Sequence, residues 1–353
     1  MNLAEPIRLT QFSHGAGCGC KIAPAVLEQI LQSTIPTTAD QRLLVGNSSK
    51  DDAAVYDIGN GMALISTTDF FTPIVDDAFT FGQIASANAI SDVYAMGGKP
   101  LLAIAILGWP VEKLPAGLAQ QVLDGARSIC AEAGIPLAGG HSIDSPEPFF
   151  GLAVNGLVQK EYLKQNNTAK EDDVLFITKP IGVGVLSTAE KRSLLKENHL
   201  GIAAEQMKQL NKLGSLLGEL DVVTAMTDVT GFGLLGHLIE MAEGSNLSAI
   251  LQYQHIPFID AAKEYAAQRI VPDATYRNWN SYSNKVGFGT GVNVMEAFNL
   301  LPDPQTNGGL LIAVKADGVE TVQQLFNQHG YNTFTQPIGK FVSKTEKTIQ
   351  VNE

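Results

Sequence analysis

Cysteine is scarce in this 353-residue chain: Cys18, Cys20 and Cys130 are all it has. So few, and an odd number, do not make a secreted disulfide framework. Positive charge is also in deficit. Lys and Arg number 24 against 36 Asp and Glu, a formal net charge of -12. That balance offers no basic stripe and argues against a nucleic-acid binder. Long apolar runs are missing too. The longest, near Leu101 to Trp109, falls short of the ~20 residues a membrane helix needs. Met1 to Gln11 has no basic region followed by an apolar stretch. No signal peptide is therefore expected, and a cytoplasmic protein with no membrane partner is the default. A Gly-x-x-x-x-Gly-Lys-Ser/Thr run is also absent, which excludes a nucleotide site of the P-loop type.

What is present suits a globular protein. Hydrophobic residues make up 45% and charged residues 17%, enough to bury sizeable cores without disulfides or a structural metal. At ~100–200 residues per domain, the length suggests two. The acidity carries a further implication. An acidic protein holds a polyphosphate when metal cations stand between its carboxylates and the phosphates, so clustered Asp residues become the feature to look for.

Along the chain, the stretch from Ser13 to Lys21 is rich in Gly and reads as a mobile loop. A short helix is expected over Ala25 to Gln32, after Pro24. Ala53 to Asp57 and Met62 to Thr67, separated by Gly59-Asn60-Gly61, predict a hairpin. Thr80 to Met96 reads as an Ala-rich helix closed by Gly97-Gly98. The continuous apolar run Leu101 to Leu107 reads as a buried strand. A helix over Ala116 to Ala133 and strands at Pro136 to Ala138 and Phe150 to Val158 follow. The polar stretch Lys160 to Asp173 is the best domain boundary. Beyond it come a strand at Val174 to Thr178, a helical tract from Ser187 to Leu217, a strand at Val222 to Met226 and a helix at Leu234 to Ala242. Strands and helices alternate in both halves, so the fold class is α/β or α+β.

Four constellations could carry chemistry. The first is the loop of Cys18, Cys20 and Lys21. A cysteine reacts as its thiolate, which a nearby ammonium favours, and glycine N–H groups suit an anion. A redox pair or half of a zinc site would use the same cysteines, but zinc takes four ligands and, even with His14, no fourth is evident. The second is acidic: Asp51 and Asp52 at the start of an apolar strand, Asp69 after another, and Asp228 ending a third. Asn88 and Asp92, at i and i+4, share one helix face. Taken singly, each Asp is more simply a cap or turn residue. Adjacent Asp51 and Asp52 should point to opposite faces of a regular strand. Asp57, Asp76, Asp77, Asp144 and Asp260 read as caps or turns. The third is Gly139-Gly140-His141-Ser142, read as a glycine turn after a strand. The fourth is Asp303 to Gly309, which a tight turn alone would explain. Cys130 reads as a core residue.

These motifs identify the sequence as similar to the selenophosphate synthetases. His14-Gly15-Ala16-Gly17-Cys18-Gly19-Cys20-Lys21 resembles that family's N-terminal signature. The likeness runs on through Asn47 to Asp57, Ser66 to Phe71, Asn88 to Pro100, Ala138 to Asp144, Thr227 to Gly236 and Asp303 to Gly309. It implies formation of selenophosphate, AMP and orthophosphate from ATP, selenide and water, with Mg2+ required and K+ as activator. It also implies a two-domain fold like that of aminoimidazole ribonucleotide synthetase. On that pattern, residues 1–48 form a mobile segment and first helix, and 49–160 an ATP-binding domain that dimerises through a β-barrel. Residues 161–353 form an α/β domain. The resemblance puts Cys18 and Lys21 at catalytic positions and Asp52, Asp92 and Asp228 at metal positions. It puts Lys21, Ser49, Lys50, Asp51, Asp69 and Asp92 at nucleotide contacts. Gly140, His141 and Ser142 match contacts made from the partner of a homodimer. A selenium-delivery protein is a further implied partner. Asn307 departs from the pattern, many relatives having Ser there, with little consequence expected.

Overall fold

The computed structural model describes residues 7–13, 15–20, 22, 26, 29–30, 40–46 and 51–353, and of Cys18 and Cys20 the main chain only. The helix expected over Ala25 to Gln32 falls largely outside these residues.

The N-terminal half is built on a six-stranded sheet of order β1-β2-β3-β6-β4-β5. Its strands are β1 (Leu43–Val45), β2 (Ala54–Gly59), β3 (Met62–Phe71), β4 (Lys99–Trp109), β5 (Leu137–Asp144) and β6 (Phe149–Gln159). The β2–β3 hairpin forms as predicted. Pairing is antiparallel except between β4 and β5. Two helices, α1 (Ala78–Ala95) and α2 (Ala116–Glu132), pack against each other beside this sheet. Asp77 caps α1, accepting from Thr80 N at 2.7 Å.

The C-terminal half has a seven-stranded mixed sheet and most of the helices. In chain order its elements are β7 (Val174–Ile177), α3 (Val183–Lys191), α4 (Ile202–Met207), α5 (Leu213–Gly218), β8 (Val223–Asp228), α6 (Gly233–Gly244), β9 (Leu247–Gln252), α7 (Asp260–Ala267), α8 (Asp273–Tyr282), β10 (Val286–Phe288), α9 (Val294–Leu300), β11 (Leu310–Val314), α10 (Val319–Gln328), β12 (Gly339–Ser343) and β13 (Ile349–Asn352).

Helix α1 joins the two halves. It packs on β3 and β6 on one side and on α4, α5 and β8 on the other. Its burial is almost continuous and includes Ser86, Asn88, Ser91 and Asp92. A helix covered all round shows no amphipathic stripe, and polar groups inside it must find partners.

Four readings of the sequence are corrected. The apolar run in β4 is not buried on both faces: Leu101 and Ile104 are 47% and 41% exposed while Ala103 and Ala105 face the helices. Gly139 to Ser142 is no turn but part of β5, because pairing with β4 supplies a ladder that overrides glycine's loop preference. The tract Ser187 to Leu217 is three α-helices; Ser193 and Gly201, with φ of 57° and 78°, lie in the first break, and a second break falls at 208–212. Asp51 and Asp52 precede β2 in a bend, so strand alternation does not separate them.

Candidate active site

The carboxylates singled out in the sequence meet where the two halves join. Asp92 lies on α1, Asp228 ends β8 and Asp52 leads into β2. Each is tethered through one oxygen to a hydroxyl. Thr227 Oγ1 donates to Asp52 Oδ1 at 2.8 Å, Thr67 Oγ1 to Asp92 Oδ2 at 2.5 Å, and Ser91 Oγ to Asp228 Oδ2 at 2.5 Å. Burial, then the charges of Asp228, Asp51 and Asp92, pushes Asp52 well above the usual carboxylate range. Burial also raises Asp51 to about 6, against its bonds from the Asp52 and Asn166 N–H groups. Asp52 Oδ2 is buried and has no hydrogen-bond partner.

An orphaned carboxylate oxygen among mutually repelling hard-oxygen donors fits a divalent cation of the Mg2+ type. Among the described residues, however, no group of three or more His, Cys, Asp or Glu side chains is arranged as a finished metal site. The two observations agree if the cation completes its shell from substrate and water, as Mg2+ does at phosphate sites.

Around this set runs a polar network that the sequence alone did not disclose. Asn88 Nδ2 donates to Asp69 Oδ2 at 2.6 Å, and Asn88 Oδ1 accepts from Asn307 N at 2.7 Å. Asn211 Nδ2 donates to Ser91 Oγ at 2.8 Å and Gly308 O at 2.9 Å. Lys179, buried, donates to Gln209 O and Asn307 O at 2.8 and 2.9 Å. Burial lowers it to about 7, against the opposing pull of Asp228. Asn307 takes a φ of 47°, a left-handed conformation that suits Asn. Its Nδ2 also donates to Gln209 O at 2.7 Å and Met207 O at 2.5 Å. A Ser side chain is too short to reach both carbonyls.

The Asp303 to Gly309 turn has a second task. Asp303 Oδ2 accepts from Gly184 N at 3.0 Å, and Gln305 Oε1 from Gly182 N at 3.2 Å and Val183 N at 3.4 Å, which caps α3. A Cβ on Gly184 would lie 2.4 Å from Asp303 Oδ1, so the cap needs glycine there.

The loop bearing Cys18 sits beside a cavity of about 630 Å3 between the halves, lined by Gly15, Gly19, Lys191, Arg192, Arg277 and Thr306 among others. Lys21, Ser49, Lys50 and His14, and the thiol of Cys18, lie outside the described residues. Gly140, His141 and Ser142 are not brought to the carboxylates. They lie on edge strand β5, on a separate cavity of about 260 Å3 with Leu123 and Arg127. Cys130 is buried, and burial pushes its thiol up to about 11. Among the described residues no helix is long and apolar enough to cross a membrane.

This architecture has known counterparts. A profile described as AIR synthase related protein, N-terminal domain, matches residues 50–158, and its C-terminal domain counterpart matches residues 170–352. Thiamine-monophosphate kinase from Stenotrophomonas maltophilia is similar at TM-score 0.65 and 18% identity, over 88% of this chain and 91% of that one. The HypE–HypF complex is similar at TM-score 0.68 and 16% identity, over 93% and 96%. The fold is therefore that of the two-domain AIR synthase related proteins. Curated relatives narrow the class. Those from Colwellia psychrerythraea (56% identical, 98% of each chain) and Yersinia pseudotuberculosis (57%, 97% of each) are both selenide, water dikinases. The chain belongs to the selenide, water dikinase family.

Proposed function

We propose that this chain makes selenophosphate from ATP, selenide and water, releasing AMP and orthophosphate. The observation that carries the reading is the trio Asp52, Asp92 and Asp228, with Asp52 Oδ2 buried and left without a partner at the junction of the two halves. Full-length identity of 56–57% to named selenide, water dikinases supports it. ATP as substrate is further supported by proteins of this fold, AaThiL complexed with AMPPCP and TMP and HypE in complex with ATP.

Asp52, Asp92 and Asp228 would hold Mg2+, with K+ as activator. Mg2+ bound there supplies charge neutralisation for the polyphosphate, which is most of what phosphoryl transfer asks of a protein. Thr227, Thr67 and Ser91 each hold one carboxylate oxygen and so aim the other. Asp51, Asp69, Ser49 and Lys50 contact the nucleotide, with Asn88 orienting Asp69. Cys18 captures or delivers selenium, taken as selenide or from a delivery protein. Lys21 stands against the terminal phosphate while the loop excludes water.

A homodimer belongs to the same reading. Among the described residues strand β5 pairs on one side only, and Phe70, Leu101, Ile104 and Ile143 are exposed on or beside this sheet. Apolar surface of this kind marks an interface. A second copy closing the sheet into a barrel would bring Gly140, His141 and Ser142 to the nucleotide of its partner. Residues 1–48, 49–160 and 161–353 are the corresponding loop segment, ATP-binding domain and second α/β domain, in a cytoplasmic enzyme.

The test is incubation with ATP, Mg2+ and selenide, with products resolved by chromatography and 31P NMR. Selenide-dependent AMP and selenophosphate are expected. ADP as the final nucleotide product, or turnover indifferent to selenide, would overturn the reading. Cys18→Ser should abolish selenide-dependent AMP formation and leave nucleotide binding largely intact.

A further inference from the structure

The loop that carries Cys18 touches both halves of the molecule, and it does so by its main chain. Gly17 N donates to Thr72 O at 3.1 Å, on the N-terminal half. From the C-terminal half, Arg277 Nη2 donates to Gly19 O at 2.9 Å. Lys191 Nζ lies 3.4 Å from both Ser13 O and Gly15 O. In a chain with 24 basic against 36 acidic residues, carboxylates are plentiful partners. Yet neither cation forms an ion pair among the described residues. Each is turned onto peptide carbonyls that bracket Cys18.

Resting on the proposed role of Cys18, we infer that Lys191 and Arg277 are positioning residues for selenium transfer: they fix the reactive loop from the C-terminal domain. Lys191 is the last residue of α3. A cation there suits the helix dipole, but the dipole does not require it to reach across to Ser13 and Gly15. The other end of α3 is capped by Asp303 and Gln305, four and two residues before Asn307, whose N–H meets Asn88 on α1. The helix therefore spans from the turn beside the carboxylate network to the Gly-Cys loop and is fastened at both ends. Upstream, the segment has a separate anchor. Arg8 Nε pairs with Asp76 Oδ2 at 2.7 Å and Arg8 Nη1 meets Ser193 Oγ at 3.3 Å, while Thr10 N and Oγ1 donate to Asp76 Oδ1 at 3.0 and 2.6 Å. With Arg8 and Thr10 holding its root, Lys191 and Arg277 set where its tip rests. Charge-assisted bonds to carbonyls are stronger and more directional than water contacts. A shift of ~1 Å in a reacting group is enough to cost catalysis heavily.

The experiment compares Lys191→Met, Arg277→Leu, the double variant and Arg277→Lys with the full-length wild type. Arg277 is exposed and Lys191 half-buried, so single replacement leaves the core intact, and thermal melting checks this. Two readouts are taken. The first is the rate of iodoacetamide alkylation at Cys18, followed by mass spectrometry with fragment ions separating it from Cys20. In the double variant it should rise about tenfold as the loop opens. The second is kinetics of AMP formation, with kcat falling by about tenfold or more while KM for ATP stays within about twofold. Arg277→Lys should recover part of both. A folded double variant with wild-type alkylation and wild-type kcat overturns the inference, as does an equal loss in kcat and affinity for ATP. If the wild type makes no AMP from ATP and selenide, it is the function reading that falls, and the alkylation contrast still decides whether these cations hold the loop.

Discussion

Ser91 and Asp228, 137 positions apart, share a hydrogen bond of 2.5 Å, Ser91 Oγ donating to Asp228 Oδ2. The direction of that proton is fixed because Asn211 Nδ2 donates to the same hydroxyl. One bond thus ties α1 to the end of β8 and aims a carboxylate.

Asp52 sits among like charges, and no hydrogen bond reaches its buried Oδ2. Asp52→Asn keeps the shape and removes a charge that burial disfavours. The melting temperature of the metal-free protein should rise by a few degrees, and the further rise brought by Mg2+ and ATP should disappear with activity. A lower melting temperature with the Mg2+–ATP shift intact would remove Asp52 from the cation site.

Burial pushes Asp303 up to about 8 from 3.8, against bonds from Gln305, Val185 and Gly184. The folded protein then binds this proton more tightly than the unfolded chain. The group's stabilising contribution is full below about pH 4 and declines as pH rises to about 8. Asp303→Asn keeps an acceptor for the α3 cap but lacks the titration. Melting temperatures of wild type and variant, compared from about pH 5 to about pH 8.5, should move in the variant's favour with rising pH. Parallel curves would contradict this.

Asn307 carries two carbonyls on its side-chain amide and a left-handed φ. Asn307→Ser gives up at least one of these hydrogen bonds, at a cost of roughly 0.5–1.5 kcal/mol. Urea unfolding monitored by tryptophan fluorescence measures it; a midpoint equal to wild type would show that Ser serves as well.

Gly17 has a φ of +51°, and a Cβ there would lie 2.4 Å from Ile74 Cδ1 and 2.5 Å from Thr306 Oγ1. Gly17→Ala must push the loop off its seat. Selenide-dependent turnover should fall by about 10²-fold, with the melting temperature little changed because the loop adds little to the core. Full activity in Gly17→Ala would show that the seat is not needed.

Parts of this site were legible in the sequence. Asp228 ends its strand as the pattern said, and the i, i+4 spacing of Asn88 and Asp92 placed both on the helix that joins the halves. The Gly-Cys-Gly-Cys-Lys run marked the loop. Other parts depend on contacts that no local rule reports. Lys179, Arg277 and Gln305 gain their meaning from carbonyls and N–H groups more than 100 positions away. Asp76 read as a cap but anchors Arg8 and Thr10. The glycines at 139 and 140 read as a turn because glycine favours loops, and only the neighbouring strand made them sheet.

The bonds described for the tip of the Cys18 loop, from Arg277, from Lys191 and to Thr72 O, all fall on peptide groups. Bonds of this kind do not depend on the side chain at position 18, because a peptide N–H or C=O is the same whichever residue carries it.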